Sequence, residues 1–186
     1  MNKSICVFCG ARSGNNTSFI TAAVEMGHVI AKNKWRLVYG AGDVGLMGAV
    51  ASSAQEKGGT TFGVIPEHLL QREVGKRDLD QFIITDNMHS RKKIMFTNSD
   101  AVVLLPGGVG SLEEFFEVLT WAQLEIHHRP IIVANIRGYW QPMLDMIDHM
   151  ITLDFVNPSL PNLIQVVDTV ADAERVLRSC LKTATE

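Results

Sequence analysis

Seven short apolar runs, rich in Val, Ile and Leu, recur along the chain at 5–9, 37–39, 61–65, 82–85, 101–105, 131–134 and 163–167. Amphipathic runs of helical period stand between most of them, at 18–32, 46–57, 88–97, 112–126, 140–150 and 169–181. Strands alternating with helices are joined by crossovers, and crossovers lay helices on both faces of a parallel sheet. A strand covered on both faces has no polar alternate positions, and these runs have few. The expected fold is therefore single-domain α/β. It is a doubly wound, Rossmann-like, mostly parallel sheet of about seven strands with helices on both faces, occupying residues 1–186. No internal repeat, low-complexity segment or linker divides the chain. In such sheets ligands bind beyond the carboxyl ends of the strands.

Composition narrows the function classes. Apolar residues make up 46% of the 186, which is ample for a core. The net charge of −3 argues against a nucleic-acid or membrane-surface binder. No apolar run reaches the ~18 residues of a spanning helix. The opening "MNKSICVFCGARSG" is interrupted by Arg12 too early for a secretory signal. Three cysteines make a disulfide framework unexpected and a reducing cytoplasm the expected compartment.

Glycine-rich corners stand at three strand ends. "CGARSGNNTS" follows the first strand, "GAGDVGLMGA" the second and "PGGVGSLEE" the fifth. Glycine allows backbone N–H groups to approach a ligand closely, and a following helix adds free donors and a partial positive charge. Together these favour phosphate. Three such corners at equivalent places predict one nucleotide-sized cleft, with Gly10, Ser13, Gly42, Gly107, Gly108, Val109 and Gly110 as candidate contacts.

Competing readings of the same residues exist. Ser111 and Glu114 fit S-x-x-E, a capping box, although capping alone leaves the preceding glycines unexplained. "GAGDVG" matches G-x-G-x-x-G, and Glu67 lies after the next strand, near the place of a ribose-binding acid. An NAD-dependent oxidoreductase is thus an alternative, weakened because the motif follows the second strand and little chain remains for a substrate domain. In "DNMHSRKKIMF", Arg91 and Lys92 open a helix against its dipole, which points to an anionic partner. His89 is equally suited to packing or to the cleft. The polar stretch 66–81 is expected to form a surface loop near the strand ends, placed to act as a lid.

"PGGVGSLEE", "MHSRK", "VFCGARSG" and "YGAGDVGLMG" together resemble the LONELY GUY family of cytokinin-activating phosphoribohydrolases, long mislabelled as lysine decarboxylases. The resemblance covers nearly the whole chain. It implies a dimeric α/β protein that hydrolyses the N-glycosidic bond of N6-substituted adenosine 5′-monophosphates, or of AMP, without cofactor or metal. It makes Arg91 and Glu114 the catalytic pair. It also implies nucleotide contacts from Met88, Lys92, the 107–113 segment with Ser111, Leu112 and Glu113, and further contacts from Glu73 and Thr120. Ser111 stands where the family usually has Thr, and its hydroxyl is retained. Relatives of the fold include molybdenum-cofactor carriers, so a non-catalytic nucleotide or cofactor carrier is a second alternative.

Other signals are weak. Cys6 and Cys9 form C-x-x-C, but residues three apart on a strand face opposite ways. His127 and His128 are expected at the surface of a loop. The helix after the fifth strand is apolar nearly all round, from Leu112 through Leu124, which predicts a second cover from a symmetric partner.

Overall fold

A computed structural model describes residues 2–70 and 74–183. The strands are β1 (Ser4–Phe8), β2 (Arg36–Tyr39), β3 (Thr60–Pro66), β4 (Gln81–Thr85), β5 (Ala101–Leu104), β6 (Ile131–Ala134) and β7 (Gln165–Val167). The helices are α1 (Thr17–Lys32), α2 (Gly45–Glu56), α3 (Met88–Thr97), α4 (Val109–Gln123), α5 (Gln141–Thr152) and α6 (Val170–Thr183). All seven strands join one sheet in the order β4-β3-β2-β1-β5-β6-β7. Every pairing is parallel, one step beyond the mostly parallel sheet expected.

The sheet's two faces are read directly from alternate residues. Ile5, Val7, Leu37, Tyr39 and Val103 face α1, α2 and α6, packing with Met26, Ile30, Val50 and Leu177. Cys6, Phe8, Val38, Val102 and Leu104 face α3, α4 and α5, packing with Met95, Phe115, Leu119 and Ile147. Burying both faces explains the unbroken apolar runs. Cys6 and Cys9 fall in opposite clusters, as strand geometry requires.

Helix starts follow local chemistry. Asn16 precedes α1 and its side chain accepts from the Ser18 N–H at 2.9 Å. Asn87 does the same for α3, accepting from Ser90 N–H at 2.8 Å. Because the chain runs outward from β1 through β4 and then returns to lay β5 against β1, the strand order reverses there. Phe8 pairs with Leu104, so β1 and β5 end level and leave a crevice beyond their carboxyl ends. The first and third glycine corners both open into it.

Candidate active site

The crevice is a cavity of about 640 Å³, lined by residues of all three glycine corners together with α1, α2, α3 and α4. Its architecture hinges on Gly10. The Gly10 N–H donates to the Pro106 carbonyl at 3.0 Å, which joins the first corner to the third. The Gly10 carbonyl accepts from the N–H groups of Leu46 at 3.0 Å and Met47 at 3.3 Å, at the start of α2. Those helix-start donors are therefore satisfied by protein. The G-x-G-x-x-G corner also lies one strand away from the switch point, and Gly42 pairs with Gly75 in an isolated bridge. A pyrophosphate has no helix start to sit on there, which removes the ground for the NAD reading.

The third corner is built differently. Gly108, extended at φ −104° and ψ −156°, is the N-cap of α4 and brings no capping side chain. Helical geometry begins at Val109, so Ser111 is already the third helical residue and Glu114 lies a turn further on. The expected capping box does not form, because it requires its serine at the extended cap position. Ser111 and Glu114 instead line the cavity, 4% and 8% exposed. A Cβ on Gly107 would come within 2.1 Å of Ser111 Oγ and 3.0 Å of Gly10 N, so this close approach admits only glycine. Gly108, Gly110 and Ser111 at the opening of α4 line the crevice, and a helix start with its dipole behind it favours an anion.

Arg91 enters from α3 and is 4% exposed. Its Nε donates to the Val64 carbonyl at 3.1 Å and its Nη2 to the Gly40 carbonyl at 2.8 Å. A Cβ on Gly40 would overlap Nη2 at 1.9 Å, so the first glycine of the G-x-G-x-x-G stretch makes room for the guanidinium. Two carbonyls thus fix the Arg91 side chain while it lines the same cavity as Glu114. Both charges reach the strand beneath them. Burial pushes the Cys6 thiol well up, and the Glu114 carboxylate raises it further, while Arg91 acts to lower it.

Lys92 turns away. It is 5% exposed, and its ammonium pairs with Glu113 and, at 3.1 Å, with Glu117 on α4. Burial works to lower its pKa, but the hydrogen bonds it donates to Glu113 and Glu117, with their negative charges, outweigh this, so the ammonium titrates above ordinary lysine. The anion to which a basic helix start pointed is, for Lys92, supplied by the protein itself.

Of the residues singled out in the sequence, Gly10, Ser13, Met88, Arg91, Gly107, Gly108, Gly110, Ser111 and Glu114 line the cavity. Gly42, Lys92, Val109, Leu112, Glu113 and Thr120 are not brought to its wall in this structure. Val109 projects outward at 83% exposure, Leu112 packs on the α4 side of the core, and Thr120 Oγ1 donates to the Phe116 carbonyl at 2.6 Å. Glu73 lies outside the described residues. Of the polar stretch 66–81, Leu69 reaches the cavity wall, while Lys76 ties Asp43 at 3.2 Å to Asp78 at 3.1 Å. His127 is buried rather than superficial. Its Nε2 meets the Val118 carbonyl at 2.9 Å, Nδ1 accepts from Arg129 N–H at 3.1 Å, and burial holds its pKa below the usual value.

The family model described as "Possible lysine decarboxylase" matches residues 47–177, more than half of the chain. The cytokinin riboside 5'-monophosphate phosphoribohydrolase of Rhodococcoides fascians is 42% identical over 178 residues, spanning 95% of this chain and 90% of that one. The phosphoribohydrolase LOG1 of Arabidopsis thaliana is 41% identical over 162 residues, 87% of this chain and 76% of that one. The chain belongs to the LONELY GUY family.

Among solved structures, a molybdenum cofactor carrier protein from Chlamydomonas reinhardtii matches with a TM-score of 0.75 at 22% identity, over 98% of this chain and 99% of that one. That identity carries the fold and nothing further. The decarboxylase description of the LONELY GUY family finds no counterpart in this cavity. Pyridoxal chemistry needs a Schiff-base lysine, and no lysine lines the cavity among the described residues.

The LONELY GUY cavity also contains residues that the motifs did not announce. Phe19 from α1 and Tyr139 from the turn after β6 meet edge to face at 5.2 Å. The Tyr139 hydroxyl donates to the Gly107 carbonyl, holding the third corner from a fourth one. Met47, Leu69 and Met95 extend the apolar wall, and Arg12 lies at the rim. One signal for Tyr139 was available: it follows Gly138 beyond the carboxyl end of a strand, at a glycine turn like the other three. Arg12 lies inside "CGARSG", where the neighbouring glycines carry the stronger signal.

Proposed function

We propose that this LONELY GUY protein hydrolyses the N-glycosidic bond of adenosine 5′-monophosphates, N6-substituted or plain, releasing the free base and ribose 5-phosphate. The observation that carries the reading is that Arg91 and Glu114, from different helices, line one cavity at the β1/β5 switch point beside the Gly107–Gly108 corner. The relatives' printed names describe the same activity in those proteins. The whole unit over residues 1–186 is read as one catalytic domain.

The chemistry follows from the placement. Breaking C1′–N9 leaves positive, oxocarbenium-like charge on the ribose and negative charge on the departing purine. Glu114 supplies a carboxylate for the ribose face, where it stabilises that charge or takes the proton from the attacking water. Water oxygen bonds to C1′, and a proton is delivered to the base. The donors of the third corner hold the 5′-phosphate, with Ser111 adding its hydroxyl. Arg91, held by two carbonyls, meets either the purine or the phosphate with little reorganisation. Phe19, Met47, Met88 and Met95 offer an apolar wall to the base and its substituent.

Incubation with AMP and with an N6-isopentenyl AMP, followed chromatographically, should yield free base and ribose 5-phosphate in equal amounts. Intact nucleotide after prolonged incubation with both would sink the hydrolase reading. It would leave the carrier alternative, for which the fold is also suited.

The protein is further proposed to be a homodimer or larger. Val109 and Leu124 on and beside α4 are 83% and 63% exposed, and Ile126 is 64% exposed. Leu112, Phe116 and Trp121 are only half covered by the core they pack on. An apolar helix with its second side uncovered calls for a symmetric partner. Light scattering at micromolar concentration should give at least twice the chain mass of 20.5 kDa, and a monomer mass would reject the dimer. A reducing cytoplasm is the proposed compartment, the setting expected for a chain with three cysteines and no disulfide framework. Among the described residues, no helix is long and apolar enough to cross a membrane.

A further inference from the structure

Three basic residues, Arg12, Arg91 and Lys92, belong to the segments that build the cavity, and their surroundings separate their roles. Arg91 gives two of its guanidinium edges to the carbonyls of Val64 and Gly40. Lys92 is buried away from the cavity wall and paired with Glu113 and Glu117. Arg12 lines the cavity, is exposed, and has no hydrogen bond or ion pair from its side chain among the described residues.

The position of Arg12 is constrained although its side chain is not. It belongs to the loop between β1 and α1, two residues after Gly10. A Cβ on Gly10 would lie 3.3 Å from Gly107 Cα and 3.0 Å from the Arg12 carbonyl, so the Arg12 loop abuts the third corner directly. The opening of α4 and Arg12 therefore line the same cavity from adjoining segments. A phosphate is dianionic near neutral pH, and backbone donors with one helix end neutralise only part of that charge. A planar guanidinium grips two phosphate oxygens at once, which an ammonium does not.

We propose that Arg12 supplies the cation for the substrate's 5′-phosphate, and that Lys92 is a positioning residue that ties α3 to α4. The assignment rests on the nucleotide reading of the cavity given above. The Lys92 pairs join the residue after Arg91 to the residue before Glu114, so the tether sets the spacing of the two helices that carry the reacting pair. Loss of Arg12 weakens phosphate binding, while loss of Lys92 slows the chemical step.

The probe is ribose 5-phosphate, titrated calorimetrically into the full chain, alongside kcat and KM for AMP and adenosine. Arg12→Ala should weaken ribose 5-phosphate binding by about 10- to 100-fold, the range of a lost charge-assisted bidentate contact. Arg12→Lys should recover part of it, which a merely structural role would not allow. The preference for AMP over adenosine should fall with Arg12→Ala, through loss on AMP alone. Lys92→Met should leave ribose 5-phosphate binding within a few-fold and lower kcat for both substrates alike. Unchanged binding in Arg12→Ala overturns the assignment, as does a loss in Lys92→Met equal to that in Arg12→Ala. A parent chain that binds no ribose 5-phosphate also overturns it. A parent that binds ribose 5-phosphate through Arg12 yet cleaves no nucleotide upholds Arg12 and sinks only the hydrolase reading.

Discussion

Glu114→Gln should lower the turnover of AMP by roughly 10²-fold or more, in line with the contribution of a positioned acid or base. The substitution keeps the size of the side chain and removes its charge. The cap of α4 is Gly108, so Glu114 does not satisfy the helix start, and neither Ser111 nor Glu114 is needed to begin the helix. Glu114 is 8% exposed on the cavity wall, on the helix whose buried residues Phe115, Val118 and Leu119 fix it to the sheet. Its carboxylate is therefore held by a rigid element, as a charge meant for a developing cation must be. Without the charge, the oxocarbenium-like ribose loses its stabilising partner and water loses its base. Circular dichroism and the melting temperature should change little, while kcat measured by base release should collapse. Turnover within a few-fold of the parent would remove Glu114 from the chemistry.

The fold was legible in the sequence for a definite reason. Strands such as Ala101–Leu104 are buried on both faces, so their whole length is apolar, and short runs of this kind admit few alternatives once helices separate them. The site was legible to the extent that backbone chemistry writes itself in glycine: Gly10, Gly107 and Gly108 marked the crevice. Side-chain direction was not legible. Arg91 and Lys92 are neighbours of similar charge, yet on a helix they point about 100° apart, so one reaches the cavity and the other reaches Glu113 and Glu117. Likewise S-x-x-E reads as a cap only if the serine stands first, and a glycine before it can take the cap instead, as Gly108 does. The G-x-G-x-x-G match misled for a related reason. Its spacing is that of a dinucleotide corner, but Gly40 accommodates Arg91 and the donors of Leu46 and Met47 go to Gly10. Phe19 lies on α1 and Tyr139 follows β6, far apart in the chain, and only the strand order of the sheet brings them together.

The enzyme should require the 5′-phosphate, and adenosine should be cleaved on the order of 10³-fold less efficiently than AMP. The third corner, Ser111 and Arg12 line the same crevice, and together they supply the donors proposed for the phosphate. A hydrogen bond to a charged group contributes about 1.5–3 kcal/mol, so the loss of two or three of them accounts for a factor of that size. The loss should fall on kcat as well as KM. A phosphate held at α4's first turn would anchor the ribose there, and Glu114 stands one turn further along the same helix, so phosphate binding would also set C1′ against the carboxylate. Arg91→Ala tests which end of the substrate that residue serves. If Arg91 meets the phosphate, the variant should lose activity on AMP and little on adenosine, and the gap between them should narrow. If Arg91 meets the departing purine, both substrates should slow alike and the gap should persist. The rigid hold of Val64 and Gly40 on the guanidinium suits either task, because a fixed donor needs no rearrangement as charge develops. Comparable kcat/KM for adenosine and AMP with the unmodified protein would show that the glycine corner does not hold a phosphate at all.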